Sequence, residues 1–271
     1  LYPCLILSLI IGNPALQQLD GVFIPPLVGF STTVIGYIIC LIAFRWLCTG
    51  AKKDSRTFAF CTGLPNYGYF PIPIVAQLFD RETMGTLLVH NIGVEVALWS
   101  VGVGCLMANG PTRGLLLRIL NPPIIALIIG LIINFSGLAP KIPPYCMETF
   151  ELLGHCAIPL GLLLIGASFY ALMKTDGLQT HWRIPLLGML LRMACFPLLF
   201  CTFIYFNSRP PALNHVLVVQ AAMPCAVFPI VLPRLYQGST AIACKLALST
   251  TLVGLISIPL WIHFGMRVCS Y

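Results

Sequence analysis

The stretch that most constrains this chain is residues 63–74, GLPNYGYFPIPI, inside a hydrophobic run long enough to cross a membrane. It holds Pro65, Pro71 and Pro73, the glycines Gly63 and Gly68, and Asn66. A proline within a helix removes a backbone donor, and its ring clashes with the carbonyl four residues earlier. This run is therefore not expected to form one continuous helix. Non-helical backbone at membrane depth survives only where protein buries it or where it lines a wet cavity. Residues 222–233, AMPCAVFPIVLP, repeat the pattern later in the chain. Two proline-interrupted spans at matching places in two halves mark the ligand site of a secondary carrier.

Composition agrees with a membrane setting. Hydrophobic residues make up 58% and charged residues 8% of 271, against roughly 25% charged in a soluble domain. Apolar runs of about 20 residues, the length that crosses a bilayer core, recur throughout. Nine spans are expected, at 1–19, 24–47, 58–79, 84–107, 119–137, 150–172, 184–206, 213–236 and 242–264. The fold class is therefore an all-α, multi-pass integral membrane protein in contact with the lipid bilayer. The net charge of +7 comes from basic residues scattered singly between spans, a mark of topology rather than nucleic-acid binding.

Alternate loops divide those basic residues unevenly. Arg45, Lys52, Lys53, Arg56, Arg113, Arg118, Lys174, Arg183, Arg234 and Lys245 fall on one side; Arg81, Lys141, Arg209 and Arg267 fall on the other. The richer side is assigned to the cytoplasm, with residue 1 inside and residue 271 outside. The 12 cysteines include no C-x2-C pair, so neither a metal centre nor a redox motif is expected, and no cofactor. Most read as small hydrophobes within spans. The chain opens at Leu1 in a hydrophobic segment without a basic leader. That reads as a chain lacking its first helix, not as a signal peptide.

The halves repeat. Pro26-Leu27 and Gly29 match Pro185-Leu186 and Gly188, Phe70-Pro71-Ile72 matches Phe228-Pro229-Ile230, and Pro3 and Ala15-Leu16 match Pro159 and Ala171-Leu172. The order is common and the offset nearly constant. The expected organisation is a first repeat over 1–110, one helix short, and a second over 115–271. An odd number of spans per repeat inverts the second copy, giving a five-plus-five inverted repeat with nine of ten helices present.

These same residues carry a resemblance. LPNYGYFPIPIV (64–75) and VVQAAMPCAVFPIVLPRLY (218–236) are similar to the two crossovers of the auxin efflux carrier family, which includes the plant PIN-FORMED carriers and bacterial malate or malonate permeases. NPPIIALIIGL (121–131) and PLGLLLIGASF (159–169) resemble its sixth and seventh helices. The resemblance runs from end to end. It implies a scaffold of helices 1–19, 119–137 and 150–172 beside a transport domain of 24–107 and 184–264, with broken helices crossing at Pro65 and Pro224. It also implies a homodimer through the scaffold and an asparagine, here Asn66, that meets a substrate carboxylate.

Candidate site residues follow. Helix N-terminal half-turns at a crossover present free N–H groups suited to a carboxylate. Asn66 adds an amide donor, and Gln220 lies one turn before Pro224. Pro65, Asn66, Tyr67, Gln220, Pro224 and Cys225 are the expected substrate-binding set, and the alternative for the amides is to satisfy freed backbone groups. Glu95 and Arg192 sit midway along spans, where charge is rare enough to suggest function. They read as an ion pair, with proton uptake at Glu95 or anion anchoring at Arg192 as alternatives. Asn91 shares a helix face with Glu95 at i, i+4. His90 lies beside it. Asn13, Asn134 and His155 are expected to make interhelical hydrogen bonds, and Ser249, Thr250 and Thr251 stand one repeat from Asn91–Gly93.

The function expected is secondary active transport, exporting or exchanging a small organic anion such as a mono- or dicarboxylate by elevator-type alternating access. The coupling ion is open between proton and sodium. The competing reading is a sensor on a carrier fold, binding a small ligand without net transport. No H-E-x-x-H, G-x-S-x-G or P-loop pattern occurs, so neither an enzyme nor direct ATP drive is expected.

Overall fold

A computed structural model describes residues 1–13, 16, 19–68, 70–107, 122–173, 182–206, 210–226, 231–236 and 238–269. Among the described residues the regular structure is helical, apart from one isolated β-bridge. The helices are α1 (Tyr2–Ile10), α2 (Leu19–Leu47), α3 (Lys52–Gly63), α4 (Pro71–Leu78), α5 (Arg81–Leu106), α6 (Pro122–Phe135), α7 (Pro144–Met173), α8 (Arg183–Phe206), α9 (Pro211–Ala222), α10 (Val231–Leu235) and α11 (Thr240–Cys269). Both proline-rich spans are broken where expected: 58–79 divides into α3 and α4, and 213–236 into α9 and α10.

Other boundaries differ from the sequence reading. The first span stops at Ile10, well short of residue 19, because Ile11 is extended and Gly12 takes φ 73°. A left-handed backbone of that kind favours glycine and ends a helix. In turn α2 begins at Leu19 and carries Pro25 and Pro26 inside it. The repeat matches at Ala15 and at Phe228-Pro229-Ile230, and the basic loop residues Arg113, Arg118, Lys174 and Arg209, lie outside the described residues.

Among the described residues four helices are long and apolar enough to cross a membrane: Val22–Leu47 within α2, Arg81–Leu106, Arg183–Phe206 and Thr240–Cys269. Their outward faces are apolar. Ile35, Ile38 and Ile42 on α2, Leu198 and Leu199 on α8, and Leu252, Leu255 and Ile256 on α11 are all exposed. In water such faces would be polar; here they are the surface offered to lipid.

Two packing groups stand out. α1 lies against α6 and α7, whereas α2 packs on α3 and α5, and α11 on α8, α9 and α3. Close approach uses glycine at matching places. A Cβ on Gly29 of α2 would collide with the His90 carbonyl of α5, and one on Gly188 of α8 with the Leu246 side chain of α11. One apolar core joins Tyr37, Phe44, Phe58 and Phe60 to Cys225 and Leu246. A second joins Leu5 and Ile10 of α1 to Leu87 of α5 and Val219 of α9, so it bridges the two groups.

Candidate functional site at the helix crossing

The broken ends of α3 and α9 meet head-on in the middle of the molecule. Pro65 and Cys225 form an antiparallel bridge, in which the Asn66 N–H donates to the Pro224 carbonyl (2.8 Å) and the Ala226 N–H to the Leu64 carbonyl (3.2 Å). Proline forces this arrangement. It ends each helix, and the backbone groups released must find partners within the protein. Each broken segment supplies them to the other.

Side chains from the long helices brace the crossing. Asn91 Nδ2 of α5 donates to the Tyr67 carbonyl (2.7 Å), and its Oδ1 accepts from Gln220 Nε2 of α9 (2.9 Å). One buried amide therefore ties both broken helices together. On the other side the Cys225 N–H donates to Thr250 Oγ1 of α11 (3.2 Å). Thr250 thus touches the crossing, as its repeat offset from Asn91 suggests. Cys225 itself is fully buried among apolar groups.

The two mid-span charges have separate partners. Arg192 is 3% exposed; its Nε donates to the Met223 carbonyl (2.7 Å) and its Nη2 to the Gln220 carbonyl (2.8 Å). A cation thereby fills the Met223 carbonyl and adds a second bond to the Gln220 carbonyl, which also accepts from the Met223 N–H (3.3 Å), at the C-terminal end of α9 where the helix dipole is negative. The Phe196 ring lies under the guanidinium, 5.4 Å from its centroid. Arg192 stands in a π-helical turn, Leu191–Cys195, which widens α8 at that point. Glu95 accepts at Oε1 from the Tyr67 hydroxyl and at Oε2 from Trp99 Nε1, both 2.9 Å. The reading of an ion pair between Glu95 and Arg192 gives way to these two local clusters.

The expected first-turn donors of α4 are missing, for a chemical reason. Pro71 and Pro73 have no N–H, the Ile72 N–H bonds the Gly68 carbonyl, and the Ile74 N–H bonds the Phe70 carbonyl. The corresponding turn before α10 lies outside the described residues, as does Tyr69. What the crossing does offer is Asn66, which is 3% exposed and whose Nδ2 has no hydrogen-bond partner among the described residues. Gln220 Oε1 is likewise unpartnered. Behind the crossing a cavity of about 20 Å³, room for one water molecule, is lined by Thr32, Thr33, His90, Arg192 and Gln220.

The structure therefore gathers Pro65, Asn66, Tyr67, Asn91, Gln220, Pro224 and Cys225 at one place, with Glu95 and Arg192 on either flank. Asn13 and Asn134 make the interhelical bonds expected of them. His155 does not: it is exposed on α7, 3.9 Å from Glu151 of its own helix. Sequence reasoning missed Trp99, although its i, i+4 spacing from Glu95 was visible. It also missed the Met223 carbonyl, which as a backbone acceptor leaves no trace in residue type.

Such a bundle, with two broken helices crossed at its centre, defines a polytopic α-helical membrane protein with a central polar junction. Comparison with known proteins gives the family. The membrane transport protein family matches residues 1–117 and 111–262, and the chain belongs to it. It is 24% identical over 202 residues to an uncharacterized transporter of Methanocaldococcus jannaschii, covering 73% of this chain and 64% of that protein. It is 22% identical over 269 residues to an uncharacterized transporter of Methanothermobacter thermautotrophicus, covering 94% and 87%.

Proposed function

We propose that this protein is a secondary carrier that exports or exchanges a small organic anion, a mono- or dicarboxylate, through the crossing of its two broken helices. One observation carries the reading: Asn66 places a buried, unpartnered amide donor at the antiparallel junction of Pro65 and Cys225. An unsatisfied donor there costs about 1–3 kcal/mol unless a ligand fills it. A carboxylate oxygen is the fitting acceptor, and Tyr67, Gln220 and the Pro224 and Cys225 backbone shape its surroundings.

Movement in this reading is of the elevator type. The scaffold is α1, α6 and α7, and the moving part is α2–α5 with α8–α11. The packing groups support that division, and the matched glycine contacts of Gly29 and Gly188 support an inverted repeat. Glu95 is the proton-coupling group, since its carboxylate is bonded to the residue next to Asn66. A homodimer through the scaffold belongs to the same reading.

The test is uptake of radiolabelled malate, malonate and indole-3-acetate into proteoliposomes, with and without pH or sodium gradients. Saturable flux lost in Asn66→Ala, and proton dependence lost in Glu95→Gln with exchange retained, is the expected result. Well-folded protein that moves none of these anions under any gradient rejects the carboxylate reading.

A further inference from the structure

We infer that Arg81 and Asn13 form a polar latch between the two helix groups, holding the molecule in the arrangement seen here and releasing when the groups move. The inference rests on the carrier reading above and adds a switch to it. Arg81 begins α5, yet its Nη2 reaches across to α1 and donates to the Ser8 carbonyl (2.8 Å) and the Ile11 carbonyl (3.1 Å). Ser8 lies in the last turn of α1 and Ile11 just past its end, where carbonyls have no partner within the helix. The tie is returned from the other side: Asn13 Nδ2 donates to the Arg81 carbonyl (3.0 Å) and to the Leu9 carbonyl (3.2 Å). Asn13 is fully buried, and Gly85 makes room for it, because a Cβ there would collide with its amide nitrogen.

The same end of α1 is fixed separately to its own group. Asn134 of α6 accepts from the Gly12 N–H (2.8 Å) and donates to the Ile10 carbonyl (3.0 Å). The turn after α1 is thus clamped to α6 by one asparagine and to α5 by the Arg81–Asn13 exchange. Only the second clamp crosses between groups. α1 and α5 also share an apolar core through Leu5, Ile10, Met84 and Leu87. Apolar contact is non-directional and tolerates sliding. Two bonds from one charged guanidinium nitrogen to two carbonyls are directional, and they fix the position of α5 against α1. The sequence puts Arg81 on the side opposite Lys52, Lys53 and Arg56, so the latch acts at that side.

The experiment measures the distance between spin-labelled unnatural residues placed at Ile132 on α6 and Leu252 on α11, both outward-facing, in the intact chain without added ligand. Arg81→Ala is expected to raise the population of a second distance about tenfold or more, the effect of losing two charge-assisted bonds. Arg81→Lys gives a smaller rise, because an ammonium keeps the charge but loses the planar guanidinium's fixed donor geometry. A purely structural cap would lower the melting temperature without a new distance. Identical distance distributions in the wild type and Arg81→Ala overturn the latch. Should Arg81→Ala fail to fold, Asn13→Ala decides alone: about a threefold rise supports the latch and an unchanged distribution overturns it. Wild-type flux judges the carrier reading separately, so flux with unmoved distances rejects only the latch, and moved distances without flux reject only the carboxylate.

Discussion

The two halves build their crossings from the same backbone and finish them with different chemistry. In the first, the Tyr67 carbonyl is held by a neutral amide, Asn91, and Asn66 keeps a free donor. In the second, the carbonyls of Gln220 and Met223 are filled by a built-in cation, Arg192, and the Cys225 N–H by Thr250. At the first crossing the Asn66 Nδ2 has no partner among the described residues, whereas at the second a built-in cation fills the backbone carbonyls. The difference teaches that two helix breaks can share a backbone pattern while different groups fill the carbonyls around them.

The largest effect should come from removing the cation of the second crossing. Arg192→Leu strands the buried Met223 carbonyl, leaves the Gln220 carbonyl to the Met223 N–H, and removes two charge-assisted bonds, which should cost about 3 kcal/mol. Thermal unfolding in detergent checks this against exposed Lys53→Leu as a control; equal melting temperatures would show that Arg192 braces nothing. Next comes the first crossing. Asn66→Ala should lower carboxylate flux about tenfold or more, while Cys225→Ala at the matching place should stay within about twofold. If both variants transport alike, the asymmetry has no functional meaning.

Much of this contrast was legible in the residues. The prolines at 65, 71, 73, 224, 229 and 233 announce both breaks because they act through covalent geometry, which tertiary context cannot repair. Asn66, Gln220 and Asn91 were legible as rare polar groups in apolar spans. The destination of Arg192 was not. From sequence a mid-span cation invites an acidic partner, and Glu95 was in view; the actual partners are carbonyls freed by Pro224, visible only once the helices are crossed. The donors expected at the start of α4 failed for a reason the sequence did contain, since Pro71 and Pro73 carry no N–H to offer. Helix ends were the least legible. The stop at Ile10 depends on the backbone of Gly12 and on Asn134, 122 residues away.

A smaller test compares the neutral braces. Asn91 makes two bonds, one to each broken helix, whereas Thr250 receives one from the crossing. Asn91→Leu should cost about 2 kcal/mol and Thr250→Val about 1. Chemical denaturation in mixed micelles measures both, and the reverse ranking would mean that the second crossing, not the first, is held by its side chains.

The smallest effect separates the long helices that follow each crossing. α5 starts on a carboxylate: Asp80 accepts from the Thr83 N–H (2.8 Å). Just before α11 the Ser239 N–H donates instead to the neutral hydroxyl of Thr57 (2.9 Å). Only the first of these starts responds to pH. The Thr83 backbone amide bonding to its carboxylate holds Asp80 below the usual carboxylate range. A folded-state value lowered in this way stabilises the protein above the unfolded value, about 3.9. That contribution is lost as pH falls through the folded one. Asp80→Ala should therefore cost about 0.5–1 kcal/mol at neutral pH, toward the low end because the carboxylate is exposed and screened. The gap from wild type should close as pH is lowered into the acid range, whereas Asp80→Asn, an uncharged cap, should show no such pH dependence. Melting curves at pH 7 and at about pH 3 decide it: a gap that persists unchanged in acid would mean that the cap acts by shape alone, and that the two helix starts differ in residue but not in physics.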